Sequence, residues 1–428
     1  MEKPLQNIQK KCIIFNKTMD SLITTLGSGF IFCALYFEVF LLISLFETKN
    51  KRKDEKKIVF FYPPVTIIVP VWNEEKTIEG TLISLLALDY PKDKLHIMVV
   101  DDGSTDNTQE VLKKYAGHPI IEIHSKQNGG KYTALNFGIT HMKTDFVGCL
   151  DADSFVHPDA LKNIMRRFQD EDVMAVTPSM VIERPNNTLR KMQRAEYSYG
   201  NFMRKAYASI GAIHITPGPF SFFRKKVFDI VGPYKHAHNT EDMEMAMRMQ
   251  SHHMKIVNAS DAIVYTVGPD TIKKLYKQRV RWVSGFLANL IDYRHMVFNR
   301  SFGDLGILVL PFAIVSICLS FIFVGISLYQ VLEHLIELCA RFITLGFDAF
   351  TFHSFNWFFV DTSLFNILSF VLMGFIMSLI MYGYRTVYGR WRITAEIFYF
   401  LFLYSFIAPF WLIKSVYNNM IGKTASWR

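Results

Sequence analysis

The stretch "FVGCLDADSFVHPDA", residues 146–160, runs from apolar residues into Asp151 and Asp153, then into a proline that opens a helix. Two carboxylates one position apart at a strand end repel each other unless a divalent cation or a cationic group neutralises them. Magnesium held by one or two carboxylates together with substrate phosphates is the economical solution, and it suits a nucleoside diphosphate leaving group. A lone DxD arises often by chance; its place directly after an apolar run is what gives it weight.

Other strand and helix ends carry similar chemistry. "TIIVPVWNEEK" ends a buried run with Trp72, whose ring can face a base, and Glu74, which can accept from a hydroxyl; the acidic pair also fits simple complementation of a helix start. "MVVDDGSTDNT" places Asp101 and Asp102 at a second strand end, with Ser104 or Thr105 as the expected helix cap. An Asx turn accounts well for one of these aspartates and poorly for both. "KQNGGKYTALNFGI" sets Gly129 and Gly130 before Lys131, so that backbone can approach a ligand and lysine can meet a phosphate or base, without the spacing of a Walker loop. In "HAHNTEDMEMAMRMQ", Thr240 is an expected N-cap, with Glu241, Asp242 and Glu244 in the first turn. Asp242 is also a candidate general base for an attacking hydroxyl, and His236 and His238 are loop histidines. Finally, "QRVRW" puts Gln278, Arg281 and Trp282 on one helix face, offering a bidentate partner for a pyrophosphate and a ring for a sugar.

These residues need a framework. The 428 residues are half hydrophobic, include 38 Phe and carry a net charge of +9. That composition excludes an ordinary soluble chain and calls for a membrane part. The basic balance fits lysine and arginine beside a membrane, and no nucleic-acid partner is expected. Five scattered cysteines, without a CxxC pair, suggest neither zinc nor a disulfide framework; Cys149 reads as a small buried core residue. Residues 1–20 form an N-terminal segment and 21–46 a first membrane helix, followed by the basic flank "ETKNKRKDEKK". Residues 58–271 read as an α/β domain with a mostly parallel sheet, and 272–300 as an interfacial helix. The amphipathic stretch 189–211 reads the same way. Residues 301–428 form a C-terminal membrane region with helices near 305–330, 362–384 and 397–418, the charged segment after 330 being interfacial or extracellular. The Lys/Arg bias puts the soluble domain in the cytosol.

Taken together, "DDGS", "DAD", "TED" and "QRVRW" resemble the signature of membrane-bound processive family 2 glycosyltransferases, the group of cellulose, chitin, hyaluronan and poly-N-acetylglucosamine synthases. The resemblance covers residues 62 to about 298. It implies a GT-A fold, Rossmann-like, and inverting transfer of a hexose or N-acetylhexosamine from a UDP-sugar to a growing β-linked polysaccharide, coupled to translocation across the cell membrane. It also implies Mg2+ or Mn2+. By the same resemblance Asp242 is the base, with Glu241 beside it; Trp72, Glu74, Asp101, Asp102, Lys131, Asp151 and Arg281 hold the donor; Asp153 and Asp151 take the metal; and Gln278 and Trp282 line the acceptor end. A gating loop of the cellulose synthase kind is missing, and "KTASWR" only faintly matches the Trp/Arg ending of hyaluronan synthases. Transfer of one sugar to a membrane lipid is the alternative, and a nucleotide-binding transport or scaffold protein is a third reading.

Overall fold

The computed structural model describes residues 24–47, 61–347 and 362–422. The N-terminal segment, the basic flank after residue 47 and the terminal "KTASWR" lie outside the described residues. Among the described residues, four helices are long and apolar enough to cross a membrane: α1 (Thr24–Glu47), Leu305–Leu345, and two introduced below as α11 and α12.

The α/β domain is built on one mixed sheet. Its strands are β1 (Val65–Val71), β2 (Leu95–Asp101), β3 (Ile121–Ser125), β4 (Phe146–Cys149), β5 (Ser154–Val156), β6 (Val173–Ile182), β7 (Phe222–Arg224) and β8 (Lys255–Thr266), in the order β3-β2-β1-β4-β7-β6-β8-β5. Alternation along β1 explains its unbroken apolar run. Val65, Ile67, Val69 and Val71 face one core and Ile68 the other, and both are covered. The first core packs under α2 (Ile78–Leu86) and α5 (Ala160–Arg167), with α3 (Thr108–Lys113) alongside α2. The second packs under α4 (Lys131–His141), α7 (Lys225–Val231) and α8 (Glu241–Ser251). Cys149 is buried in that second core, as expected.

The sheet is parallel from β3 through β4, then mixed: β4/β7, β6/β7 and β5/β8 are antiparallel, and β6/β8 is parallel. Because β1 sits between β2 and β4, chain order reverses there, and the carboxyl ends of β1, β2 and β4 open on a common crevice. Helix α6 (Thr188–Ser209) is capped by Asn187, whose side chain accepts from the Arg190 N–H. It packs on β6, and α9 (Ile272–Asp292) packs beside α8.

Helix α10 (Leu310–Leu345) differs from its expected length. It continues past 330 through Glu333, Glu337 and Arg341 as helix, with Arg341 and Glu337 at i, i+4 and 3.9 Å apart. Helix α11 (Leu364–Tyr388) and α12 (Ala395–Met420) follow. The described chain divides into two compact units. One contains residues 24–43 and 313–378, where Phe30 and Phe323 meet at 5.7 Å between centroids. The other contains the α/β domain with the end of α11 and all of α12. In this second unit α12 packs along α6 and α9, so the two amphipathic helices are held by an apolar helix.

Candidate active site

The crevice deepens into a cavity of about 750 Å³. Loop contacts bring its residues there. Trp72 and Glu74 follow β1, and the Asp102 N–H donates to the Val71 carbonyl at 2.8 Å, tying the second strand end to the first. Asn73 turns the chain with φ of 55°; its N–H donates to Ser104 Oγ at 3.0 Å, and its Oδ1 accepts from the Thr105 N–H at 2.7 Å. Ser104 and Thr105 are thus loop clamps, and α3 starts only after Asn107.

The two neighbouring aspartates part company. Asp101 is fully buried and does not line the cavity: Oδ1 accepts from the Ser104 N–H at 3.0 Å and Oδ2 from Gln109 at 2.9 Å. The carboxylate of Asp101, expected at the donor, is thus engaged inside the loop. Asp102 does line the cavity, while its carboxylate organises the glycine turn, accepting from Lys126 Nζ (2.5 Å), Gly129 N–H (3.1 Å) and Gly130 N–H (2.8 Å). Gly130, with φ of 92°, turns the chain into α4 and so presents Lys131.

Lys131 Nζ lies 2.6 Å from Asp151 Oδ1 and 3.4 Å from Glu241 Oε1. Asp151, Glu241 and Asp242 together hold its ammonium well above the usual lysine range, against the opposing effect of burial. Asp153 stands on the same turn. Burial, then Asp151 and Glu74, push its carboxyl up to about 7. On the facing side, Thr240 occupies the N-cap position of α8, yet its hydroxyl bonds elsewhere, donating to the Ala237 carbonyl at 3.1 Å and accepting from Asn289 at 3.0 Å. Asp242 accepts from the Met243 N–H at 2.9 Å and the Gly218 N–H at 3.3 Å. Burial and Glu241 push Asp242 up to about 6, while Lys131 and Arg281 restrain it.

From α9, Gln278, Arg281 and Trp282 line the same cavity, as their i, i+3, i+4 spacing allows. His236 and His238 do not: His238 pairs with Asp292 at 3.0 Å, and His236 stands edge-on to Tyr132. Among the lining residues that went unread in the sequence, two groups stand out. One is Pro217–Gly218–Pro219, which runs close to Lys131 and Asp151, a Cβ on Gly218 falling 2.8 Å from Lys131 Nζ; the Pro-Gly-Pro loop signal was its only clue. The other is the face of α6 carrying Glu196, Tyr197, Gly200 and Arg204.

The charge balance and donor chemistry fit a divalent cation. Asp102 and Glu196 have cationic partners, Lys126 and Arg279, outside the lining; the other five lining carboxylates, Glu74, Asp151, Asp153, Glu241 and Asp242, face three cations, Lys131, Arg204 and Arg281. Carboxylate oxygens suit magnesium or manganese. Among the described residues no group of three or more His, Cys, Asp or Glu is arranged to hold a metal ion by itself, so a cation here would need oxygens from substrate or water as well.

Residues 66–232 match the family model "Glycosyl transferase family 2". A poly-beta-1,6-N-acetyl-D-glucosamine synthase of Staphylococcus aureus is 34% identical over 224 residues, which is 52% of this chain and 54% of that protein. The chain therefore spans about half the length of the S. aureus relatives it matches. A synthase of the same name from Staphylococcus epidermidis is 29% identical over 312 residues, covering 72% of this chain and 74% of that one. A mannosyltransferase from Pyrobaculum calidifontis, solved with GDP-mannose and Mn2+, superposes with a TM-score of 0.52 at 21% identity, covering 72% of this chain and 92% of its own, and shares the fold. Over residues 66–232 this chain matches family 2 glycosyltransferases, and its fold is GT-A-like.

Proposed function

We propose that this protein is an integral membrane, inverting transferase that adds hexose or N-acetylhexosamine units from a UDP-sugar to the hydroxyl of a growing β-linked polysaccharide. The observation that carries the reading is the convergence of Trp72, Glu74, Asp102, Lys131, Asp151, Asp153, Glu241, Asp242, Gln278, Arg281 and Trp282 on one cavity from six separate segments. The staphylococcal relatives favour N-acetylglucosamine as the transferred sugar and a polymer as the product.

In this reading Trp72 and the Asp102 wall receive the base. Lys131 and Arg281 meet the diphosphate, Arg281 by its planar fork. Asp151 and Asp153 would hold Mg2+ or Mn2+, whose charge offsets that developing on the departing diphosphate. Gln278 and Trp282 orient the acceptor. Asp242 takes the proton of the acceptor hydroxyl, and Glu241 keeps it basic enough to do so. The oxygen forms its bond to the anomeric carbon as the bond from that carbon to the diphosphate breaks, with the electron pair leaving on UDP. The four long apolar helices anchor the catalytic domain at the cytosolic face of the cell membrane and guide product across.

The test is incubation of purified full chain in detergent with a panel of radiolabelled UDP-sugars, followed by sizing of product with and without glycosidases. A long, glycosidase-sensitive product supports the proposal. A short product that partitions into lipid extracts would replace it with single transfer to a membrane lipid.

A further inference from the structure

One buried cation of α9 belongs to neither the donor set nor the general base. Arg279 is almost fully enclosed, and its Nη2 donates to Glu196 Oε2 at 2.6 Å. The other oxygen of Glu196 accepts from the Tyr404 hydroxyl of α12 at 3.0 Å. The Arg279 guanidinium lies over the Trp282 ring, its central carbon 4.2 Å from the ring centroid. Trp282 and Glu196 both line the cavity. Helix α12 also holds the backbone of α9 on either side of Trp282: Ser415 Oγ donates to the Val280 carbonyl at 3.2 Å, and Asn419 Nδ2 to the Ser284 carbonyl at 3.2 Å. A second bridge clamps α6 from below. Arg194 pairs through both its Nε and Nη2 with Glu396 at the start of α12, and Glu396 accepts from the Tyr384 hydroxyl at 2.5 Å.

A charge this enclosed is costly unless it is paired, and the Arg279 guanidinium is held between Glu196 at Nη2 and the face of the Trp282 ring. We propose that Arg279, locked by Glu196 and Tyr404, is a positioning residue that sets the plane of the Trp282 ring, making the last apolar helix a structural part of the acceptor site. The inference rests on the reading of Trp282 as the acceptor platform. An ion pair serving only to join helices needs neither the contact with Trp282 nor a carboxylate in the cavity wall. A sugar ring stacks on an aromatic face in one orientation, so tilting Trp282 weakens acceptor binding while leaving the donor pocket of Lys131, Asp151 and Asp153 alone.

The experiment compares the full chain in detergent with Arg279→Lys, which keeps the charge for Glu196 but lacks the planar guanidinium, and with Tyr404→Phe, which removes one hydrogen bond and little volume. Arg279→Lys is expected to raise the KM for a β-linked N-acetylglucosamine oligomer about tenfold, and Tyr404→Phe about threefold, with KM for the UDP-sugar and acceptor-free UDP release kept within about twofold. The Trp282 fluorescence, obtained by subtracting the spectrum of the Trp282→Phe chain in each background, should shift in Arg279→Lys. An unchanged oligomer KM with an unchanged Trp282 signal overturns the proposal, as does an equal loss in both substrates, which marks plain destabilisation. Should the wild-type chain hydrolyse no UDP-sugar, the reading of the site itself falls, and the Trp282 signal still decides whether Arg279 positions the ring.

Discussion

Replacing Asp242 with asparagine should stabilise the protein while disabling it. Burial and the Glu241 carboxylate raise the Asp242 carboxyl from 3.8 to about 6 in the folded chain, so folding disfavours its ionised form. A gap of that size corresponds to about 3 kcal/mol of stability lost at neutral pH. Since the folded state binds the proton more tightly than the unfolded one, this cost is complete above about pH 6 and fades as pH falls towards 3.8. The substituted amide carries no charge but keeps only one oxygen for the two N–H groups, of Met243 and Gly218, that Asp242 accepts. The forfeited hydrogen bond is worth about 1 kcal/mol, leaving a net gain of about 2 kcal/mol at pH 7.5. In a thermal unfolding assay in detergent this raises Tm by about 3 to 6 °C at pH 7.5 and by almost nothing at pH 4.5, where the cost has shrunk to about 1 kcal/mol. Transfer, measured on the same samples, falls by about 10²- to 10⁴-fold. A lower Tm at pH 7.5, or a gain that persists unchanged at pH 4.5, would refute the electrostatic reasoning; transfer within a few-fold of wild type would remove Asp242 from the role of base.

Further outcomes follow from the same geometry. For the wild-type chain kcat is expected to rise about tenfold per pH unit below about pH 6 and then level off, because only ionised Asp242 accepts the proton; Glu241→Gln removes a neighbour that raises Asp242 and should move this limb to lower pH. Asp153→Ala should raise the Mn2+ concentration for half-maximal transfer by about tenfold or more with Tm maintained or increased at pH 8, since Asp153 is strained by burial and by Asp151. Gly285→Ala drives a methyl group into the Thr240 side chain, at the contact between α9 and the "TED" turn, and should cost about 1 to 3 kcal/mol, read as a lower Tm together with weaker transfer.

The strand ends were legible because an α/β sheet sends its ligand-facing residues to the carboxyl ends of adjacent parallel strands, and "VWNEE", "VDDGS" and "CLDAD" each mark such an end. Which aspartate of "DD" faces the cavity was not legible. It depends on strand register: Asp101 follows Ile97 and Val99 on the side of the core under α2 and α5, and Asp102 is the first residue free of the strand. The α6 wall escaped notice for a different reason. Its sequence shows a basic, aromatic amphipathic helix, and only tertiary packing on β6 and α12 reveals that Glu196, Tyr197 and Arg204 turn inward. The mixed half of the sheet depends likewise on β7, a three-residue strand too short to carry a periodic signal. The extension of α10 hid behind Glu333, Glu337 and Arg341, charges that a helix accommodates at i, i+4 and that hydropathy reads as an ending.

The central claim is that a divalent cation and a nucleotide-sugar bind together at the turn bearing Asp151 and Asp153. Calorimetric titration of the purified full chain with UDP-N-acetylglucosamine, in Mn2+ or Mg2+ and again in excess chelator, tests it most directly. The account predicts saturable binding that weakens by at least about tenfold without the cation; equal affinity in both buffers, or no uptake of this or any other UDP-sugar by the folded protein, would contradict it.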